Sequence, residues 1–396
     1  MSDLLSPAHA LWRVLPAGPR RATLRRLAAA MAPRADATLP ARSRGVVVAG
    51  EMGWGTGLGQ AARSLAMGAR LLGYGGGEVS CGVGRKPRGP APPPGAALLL
   101  AINAPSLPLM LARAERDLLR GRLVIGAWVW ELPVVPPGWA AGRRYVHEVW
   151  APSPFAAQAL EAVAPRRVRV VPYPLALLPP SPAPPCADVP EGKVVTLMAL
   201  SLGSSVARKN PAAGIAAFRR AFGRRDDQLL VIKLSGAAAD PRAAAQLAAE
   251  AGPNIAVFSG AWPEERMAAL MERADIVLSP HRAEGFGLVL AEAMLRGKPV
   301  VATGWSGNLT FMDQASAALI GYELVPVADA SGLYPPLRGA RWAEPDIGHM
   351  AEWLRRLGDD AALRAALGGR GRAHASACLG GGAMRAALAA HGVAPL

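Results

Sequence analysis

Residues 275–308, DIVLSPHRAEGFGLVLAEAMLRGKPVVATGWSGN, read as strand, glycine loop, helix, strand and loop. The run Glu284-Gly285-Phe286-Gly287 delivers the chain into a helix starting near Leu288. Its glycines let the backbone approach a ligand, and the free N–H groups of the first helical turn face an anion. Glu292 follows Glu284 by eight residues and lies one turn into that helix, so one carboxylate is on the loop and one on its support. Carboxylates accept paired hydrogen bonds from vicinal hydroxyls. A phosphate-binding helix end framed by two such groups points to a sugar phosphate.

Outward from this block, β-branched runs alternate with Ala/Leu-rich amphipathic stretches, the pattern of parallel sheets flanked by helices. In the first half, strands are expected at 45–49, 97–103, 123–128, 148–151 and 168–171, with helices near 59–72, 107–120 and 154–163. In the second, strands are expected at 194–200, 229–234, 255–259, 275–279 and 299–302. Between them lies PYPLALLPPSPAPPCADVPEG, residues 172–192, whose prolines block helix and ladder hydrogen bonds and predict a semi-rigid connector. The reading is therefore a basic extension over 1–44, a first doubly wound domain over 45–171, the connector, a second domain over 193–370, and a helical segment over 371–396 that is free to cross back. Ligands of such sheets bind at the carboxyl ends of the strands, here in the cleft between the two domains.

Composition bounds the function. The 396 residues are 51% hydrophobic and 18% charged, which excludes global disorder and supplies two cores. No run reaches the ~18 to 20 apolar residues of a spanning helix, and Asp3 stands where a secretory signal wants positive charge, so a cytoplasmic location is expected. Cys81, Cys186 and Cys378 are far apart and in no metal spacing. A net charge of +15 favours anionic partners, while 5% aromatic residues offer few stacking platforms for single-stranded nucleic acid, so none is expected. Residues 1–44 hold eight arginines against two aspartates. Within them RRATLRRLAAAM, residues 20–31, sets Leu24, Leu27 and Met31 on one stripe with Arg21, Arg25 and Arg26 around it. That stripe reads equally as a packed helix with a solvated basic face or as an interfacial helix on an anionic membrane surface.

The spacing in EGFGLVLAE, with SPHRAEGFG, GKPVVAT, SGN and the later WAEPDIGHM (342–350), resembles the E-x7-E signature of retaining GT-B glycosyltransferases of family 4, and a bacterial surface-polysaccharide branch of it. The resemblance covers nearly all of the chain after Gly45. It implies two Rossmann-like domains, with Glu284 on donor-sugar hydroxyls, Glu292 on the nucleotide ribose, and Gly285, Phe286, Gly287 and Leu288 around the donor phosphates. His281 either reaches the ligand or satisfies the loop. In VVTLMALSLGSSVARKNPAAGIAAFRRAF, residues 194–222, Lys209 matches the family lysine on the donor diphosphate. The family's arginine half a dozen residues upstream is replaced by Leu202-Gly203-Ser204, leaving Arg208 either as its substitute or as a solvated helix-start residue. In GEMGWGTGLGQAAR, residues 50–63, Gly57, Leu58 and Gly59 resemble the loop that closes over phosphates and acceptor. VIGAWVWELP sets Glu131 after Trp128 and Trp130 at a strand mouth where many relatives carry histidine, as an acceptor or sugar contact or as a structural cap.

The implied activity is retaining transfer of a hexosyl group from a UDP- or GDP-linked sugar to a glycan or polyprenyl-diphosphate-linked acceptor, the latter implying a peripheral place on the inner membrane face. The implied course is dissociative: Lys209, Arg208 and the amides of Gly287 and Leu288 hold the departing diphosphate while Glu284 orients the sugar. Walker A, HExxH, GxSxG and DxD sequences are absent, and neither a metal nor a cofactor beyond the nucleotide sugar is expected. Two rival readings are an NAD-dependent oxidoreductase using Gly57-x-Gly59-x-x-Ala62 and Glu78, and a non-catalytic binder of anionic surfaces resting on the charge.

Overall fold

In a computed structural model, the described residues are 17–396 except 41, 54 and 84, with side chains described from residue 23 onward. The arginines at 13, 20 and 21 therefore lie, wholly or by side chain, outside the described residues. A short strand β1 (Ser43–Arg44) precedes β2 (Val46–Gly50), β3 (Gly75–Ser80), β4 (Ala97–Ala101), β5 (Val124–Ala127), β6 (Glu148–Ala151) and β7 (Arg169–Val170). The last six form one parallel sheet in the order β3-β2-β4-β5-β6-β7. Every residue of β2 and β4 is buried, because VVVAG and ALLLA are covered on both faces by the crossover connections. Helix α1 (Ala17–Met31) precedes this sheet, and α2 (Gly57–Leu71), α3 (Leu107–Leu111) and α4 (Pro154–Leu160) lie within it.

The second sheet, order β10-β9-β8-β11-β12-β13, is also parallel: β8 (Val194–Ser201), β9 (Gln228–Ser235), β10 (Ile255–Ser259), β11 (Ile276–Ser279), β12 (Val300–Thr303) and β13 (Ala318–Ile320). Its helices are α5 (Val206–Lys209), α6 (Pro211–Phe222), α7 (Pro241–Ala248), α8 (Glu264–Arg273) and α9 (Leu288–Leu295). The antiparallel pair β14 (Tyr322–Pro326) and β15 (Arg341–Pro345) follows, then α10 (Ile347–Asp359), α11 (Ala361–Cys378), α12 (Gly382–Ala390) and β16 (Val393–Ala394). This is the α/β arrangement of two Rossmann-like parallel sheets that the sequence predicts.

The carboxyl ends of the two sheets face each other. Ser153, after β6, donates from Oγ to the Gly285 carbonyl, after β11, at 2.7 Å. Phe155 and Trp305 pair edge to face at 4.9 Å, as do Tyr173 and Phe286. The connector is packed: a Cβ on Gly68 would lie 2.2 Å from Pro174, and the Ala176 amide donates to the Leu379 carbonyl. The chain end returns to the first lobe. Helix α11 runs through residue 370, so the boundary expected there falls inside a helix. Strand β16 then pairs in parallel with β1, and the Leu396 amide donates to the Gly73 carbonyl. His391 seals this return on Glu148 at 2.5 Å.

Three differences from the predicted elements have physical causes. The helix expected over 107–120 ends at Leu111, and a turn before a 3-10 segment at Arg116–Leu118 lets both Leu118 and Leu119 reach the core. β3 is GGGEVS, too glycine-rich to read as a strand, and is held by its register on β2. The β14–β15 hairpin was not expected, because β14 is largely exposed and its 327–340 loop is rich in proline and glycine.

Candidate functional site

β11 ends at Ser279 and the following loop turns tightly before α9. The Glu284 amide donates to Ser306 Oγ, and the Gly307 amide to the Glu284 carbonyl, each at 2.8 Å. Only glycine fits at 307, since a Cβ there would lie 2.2 Å from the Gly285 carbonyl oxygen. Gly285 is equally confined from the other lobe: its Cβ would meet Val129 Cγ2 at 2.3 Å. Gly287, at φ 96°, turns the chain into α9, whose first amides have no side-chain cap.

Glu284 thereby points back to α5. Its carboxylate pairs with Lys209 Nζ through Oε1 and with Arg208 Nη1, 3.2 Å from Oε2. Burial works against its ionisation, but Lys209 foremost and then Arg208 more than offset this, holding the carboxyl down at about 2. Arg208 is 2% exposed. Its guanidinium also donates to the carbonyls of Ala283 (2.6 Å) and Ser204 (3.2 Å). Ser205, at φ 65°, caps α5 by accepting from the Arg208 amide, and donates its hydroxyl to Asp329 at 2.8 Å. Strain at such a non-glycine position is held by the surrounding bonds.

Glu131 enters from the opposite lobe, beyond β5. It keeps an exposed edge, yet its carboxyl sits deep enough that burial raises its pKa, with Arg208 opposing that rise and Glu284 adding to it. Glu284, Lys209, Arg208 and Glu131 are thus brought together, with Glu284 and Arg208 buried, which makes the solvated helix-start reading of Arg208 incorrect. The remaining candidates divide. His281 is fully buried, with Nδ1 2.9 Å from Ser279 Oγ and Nε2 3.1 Å from Asn308 Oδ1, so it satisfies the loop. Burial lowers its pKa and favours neutral imidazole. The Phe286 ring is core, edge to face with Tyr173 and tilted against Phe311. Leu288 opens α9, and Glu292 lies on its second turn, partly exposed, 3.4 Å from Arg296. Gly57, Leu58 and Gly59 form the first turn of α2, capped by Thr56 Oγ1, with open space beside Gly53, Gly55 and Gly57. Among the described residues no three metal-ligating side chains converge.

The sequence reading missed Ser153, Ser205, Ser306, Asp329 and Tyr334. Tyr334, on the 327–340 loop, packs 5.4 Å from the Trp130 ring and 5.8 Å from the Arg208 guanidinium carbon. Ser306 lies in the SGN block of the resemblance; the others are brought to the cluster only by the fold.

The model of a family described as "Family 4 Glycosyltransferase in conflict systems" matches residues 155–379. The D-inositol 3-phosphate glycosyltransferase of Nocardia farcinica is 37% identical over 118 residues, 29% of this chain and 26% of that protein. The enzyme of the same name from Mycobacteroides abscessus is 34% identical over 127 residues, 31% and 29% of the two chains. The matches thus span between a quarter and a third of these relatives. Among solved structures, a glycosyltransferase from Rickettsia africae superimposes with a TM-score of 0.59 at 12% identity, over 88% of this chain and 98% of that one. Anabaena HepE, solved with UDP, gives 0.54 at 13% identity over 87% and 100%. At such identities the likeness shows the GT-B fold alone. With more than half of its length matched by the family model, and with two facing parallel sheets, this chain belongs to the family 4 glycosyltransferases of conflict systems.

Proposed function

We propose that the protein transfers a hexosyl group, with retention, from a UDP- or GDP-linked sugar to a hydroxyl of a glycan or polyprenyl-diphosphate-linked acceptor. The observation that carries this is Glu284 paired with Lys209 and Arg208 at the loop leading into the uncapped start of α9. Glu284 accepts hydrogen bonds from the donor sugar. Lys209 spends one donor on Glu284 and keeps others for the diphosphate, beside the amides of Gly287 and Leu288. Arg208, held through Nε and Nη1 by the Ser204 and Ala283 carbonyls, adds charge beside the diphosphate and fixes Glu284. As the bond to the diphosphate loosens, a donor phosphate oxygen takes the acceptor proton on the same face; Glu131 meets the acceptor from the first lobe. Glu292 reaches the ribose from α9, and no metal is assigned a part.

The UDP in the Anabaena HepE structure supports a nucleotide sugar as donor. The oxidoreductase reading is weaker: β2 ends at Gly50, well before Gly57, and Glu78 lies on the exposed middle of β3. A membrane-linked acceptor, in surface polysaccharide synthesis on a cytoplasmic membrane face, draws support from α1. Leu24, Leu27 and Met31 on that helix are 48%, 56% and 65% exposed beside exposed Arg25 and Arg26.

The test is a panel of UDP and GDP sugars, with released nucleotide measured for the wild type and Glu284→Ala. One donor is expected to be consumed, and the variant to lose more than about 100-fold. Equal rates would remove Glu284 from the reaction.

A further inference from the structure

Helix α5 is only four residues long, too short to hold its own shape, yet it carries both cations that face Glu284. The chain enters and leaves it through residues of positive φ. Ser205 precedes it at φ 65° and ψ 113°, outside the left-handed helical well, and Asn210 follows it at φ 53° and ψ 48°. Among the described residues the remaining non-glycine position of this kind is Ser306, whose hydroxyl accepts from the Glu284 amide. Backbone in such states persists only where its surroundings hold it.

At both ends of α5 the holding groups come from the β14–β15 hairpin, which belongs to neither six-stranded sheet. At the amino end, Ser205 Oγ donates to Asp329 Oδ1 at 2.8 Å while accepting from the Arg208 amide at 3.2 Å. Asp329 is itself fixed in the hairpin loop, its Oδ2 accepting from the Tyr334 amide at 3.0 Å and from Ser331 Oγ at 2.7 Å. At the carboxyl end, Asn210 Nδ2 donates to Glu344 Oε1 at 3.1 Å, and Glu344 Oε2 accepts from Arg282 Nε at 2.6 Å. Arg282 in turn serves carbonyls that a helix end leaves without partners: its Nη1 donates to Ala207 at 2.5 Å and its amide to Arg208 at 2.7 Å. Ser205 and Asn210 are both buried, so neither can exchange its carboxylate for water without cost. The hairpin has a footing of its own, since Tyr334 and Trp342 are buried in the apolar cluster of the first lobe.

We propose that Asp329 and Glu344 are positioning residues: from one hairpin they grip the two ends of α5 and hold its entry and exit, so that Arg208 and Lys209 present their charge at Glu284 and the start of α9. The stretch Leu202-Gly203-Ser204 just upstream brings no cation, so the positive charge on this side of the cleft depends on how α5 is held. The clamp stands on the hydrogen bonds; its catalytic meaning rests on the transferase reading above. Cations fixed in advance need no rearrangement as charge grows on a departing diphosphate, so the clamp serves turnover more than donor binding.

The experiment uses the full chain in two measurements. Without ligand, hydrogen exchange is followed at the Lys209 and Asn210 amides, which donate to the Ser205 and Val206 carbonyls at 3.1 and 2.8 Å and so report whether α5 is formed. Asp329→Ala and Glu344→Ala are each expected to speed this exchange at least about tenfold while the amides of β8 and β9 keep their wild-type rates. With the sugar nucleotide that the wild type consumes, each alanine variant is expected to lose at least about tenfold in kcat with KM changed by less than about threefold. Asp329→Asn and Glu344→Gln, which keep an accepting oxygen, should stay within about threefold of the wild type in kcat. Unchanged exchange at α5 overturns the proposal, as does wild-type kcat in the alanine variants or an equal loss in the alanine and amide variants. Should no UDP or GDP sugar be consumed at all, the transferase reading fails, and the exchange rates still decide whether the hairpin holds α5.

Discussion

The hydroxyl of Ser153 is bound to the backbone of Gly285, one residue at the amino end of α4 in the first lobe and the other in the glycine loop of the second. The same oxygen accepts from the Ala156 amide at 3.0 Å and so caps α4. One side chain therefore serves both a helix end and the contact between lobes.

Ser153→Ala removes both bonds. Loss of the cap costs about 1 kcal/mol, and a buried Gly285 carbonyl left unpaired adds a similar amount. Urea unfolding should show a destabilisation of roughly 2 kcal/mol, whereas Ser153→Thr, which can keep both bonds, should recover most of it.

Gly285→Ala acts on closure. The added methyl would sit 2.3 Å from Val129 Cγ2 and 3.2 Å from the Trp130 carbonyl, both on the opposite lobe. The lobes can move apart to relieve it, so stability should fall by only about 1 kcal/mol while nucleotide release falls at least about tenfold. A variant with wild-type turnover would mean that the reaction does not need this contact.

Acid should act through Glu284 and Glu148. Burial opposes ionisation of Glu148 as well, but His391 and Arg169 hold it down at about 2. Both folded values lie below the ordinary 4.5, so each carboxylate stabilises fully above about pH 4.5, and that contribution is lost as pH falls toward 2. Glu284→Gln should be less stable at neutral pH by about 2–3 kcal/mol, since Arg208 stays buried with a weaker partner. Its stability should fall less steeply with acid over that window, as measured by thermal melts across pH.

Helix α1 offers a separate check. Full-length protein is expected to float with vesicles holding about 30% anionic lipid and not with neutral ones, the binding weakening as salt rises. Leu24→Ser combined with Leu27→Ser should lose most of it. Absence of wild-type binding would remove the membrane-linked acceptor.

The second lobe was nearly legible as it stands in sequence. Its strands are short β-branched runs whose order is fixed by parallel crossovers, and residues 275–308 carry their own punctuation of glycine and carboxylate. The gathering of Glu284, Lys209, Arg208 and Glu131 was readable only in part. Lys209 and Glu284 lie in recognisable strand-to-helix loops, but the enclosure of Arg208 by Ala283 and Ser204 depends on how two loops pack. The resemblance places Phe286 beside the donor phosphates, whereas its ring is core, packed against Tyr173 and Phe311. Tyr334 was invisible for a different reason: a proline- and glycine-rich stretch reads as surface, and its burial comes from the other lobe.

The return of β16 to β1 gives the polypeptide two passages between its halves, one near residues 171–193 and one near 379–382. A body strung on a single thread can swing in any direction; one strung on two turns about the line joining them. Opening of the two lobes is accordingly expected to follow a hinge with a defined axis, and lengthening only one of the passages should twist the jaws out of register instead of widening their gape.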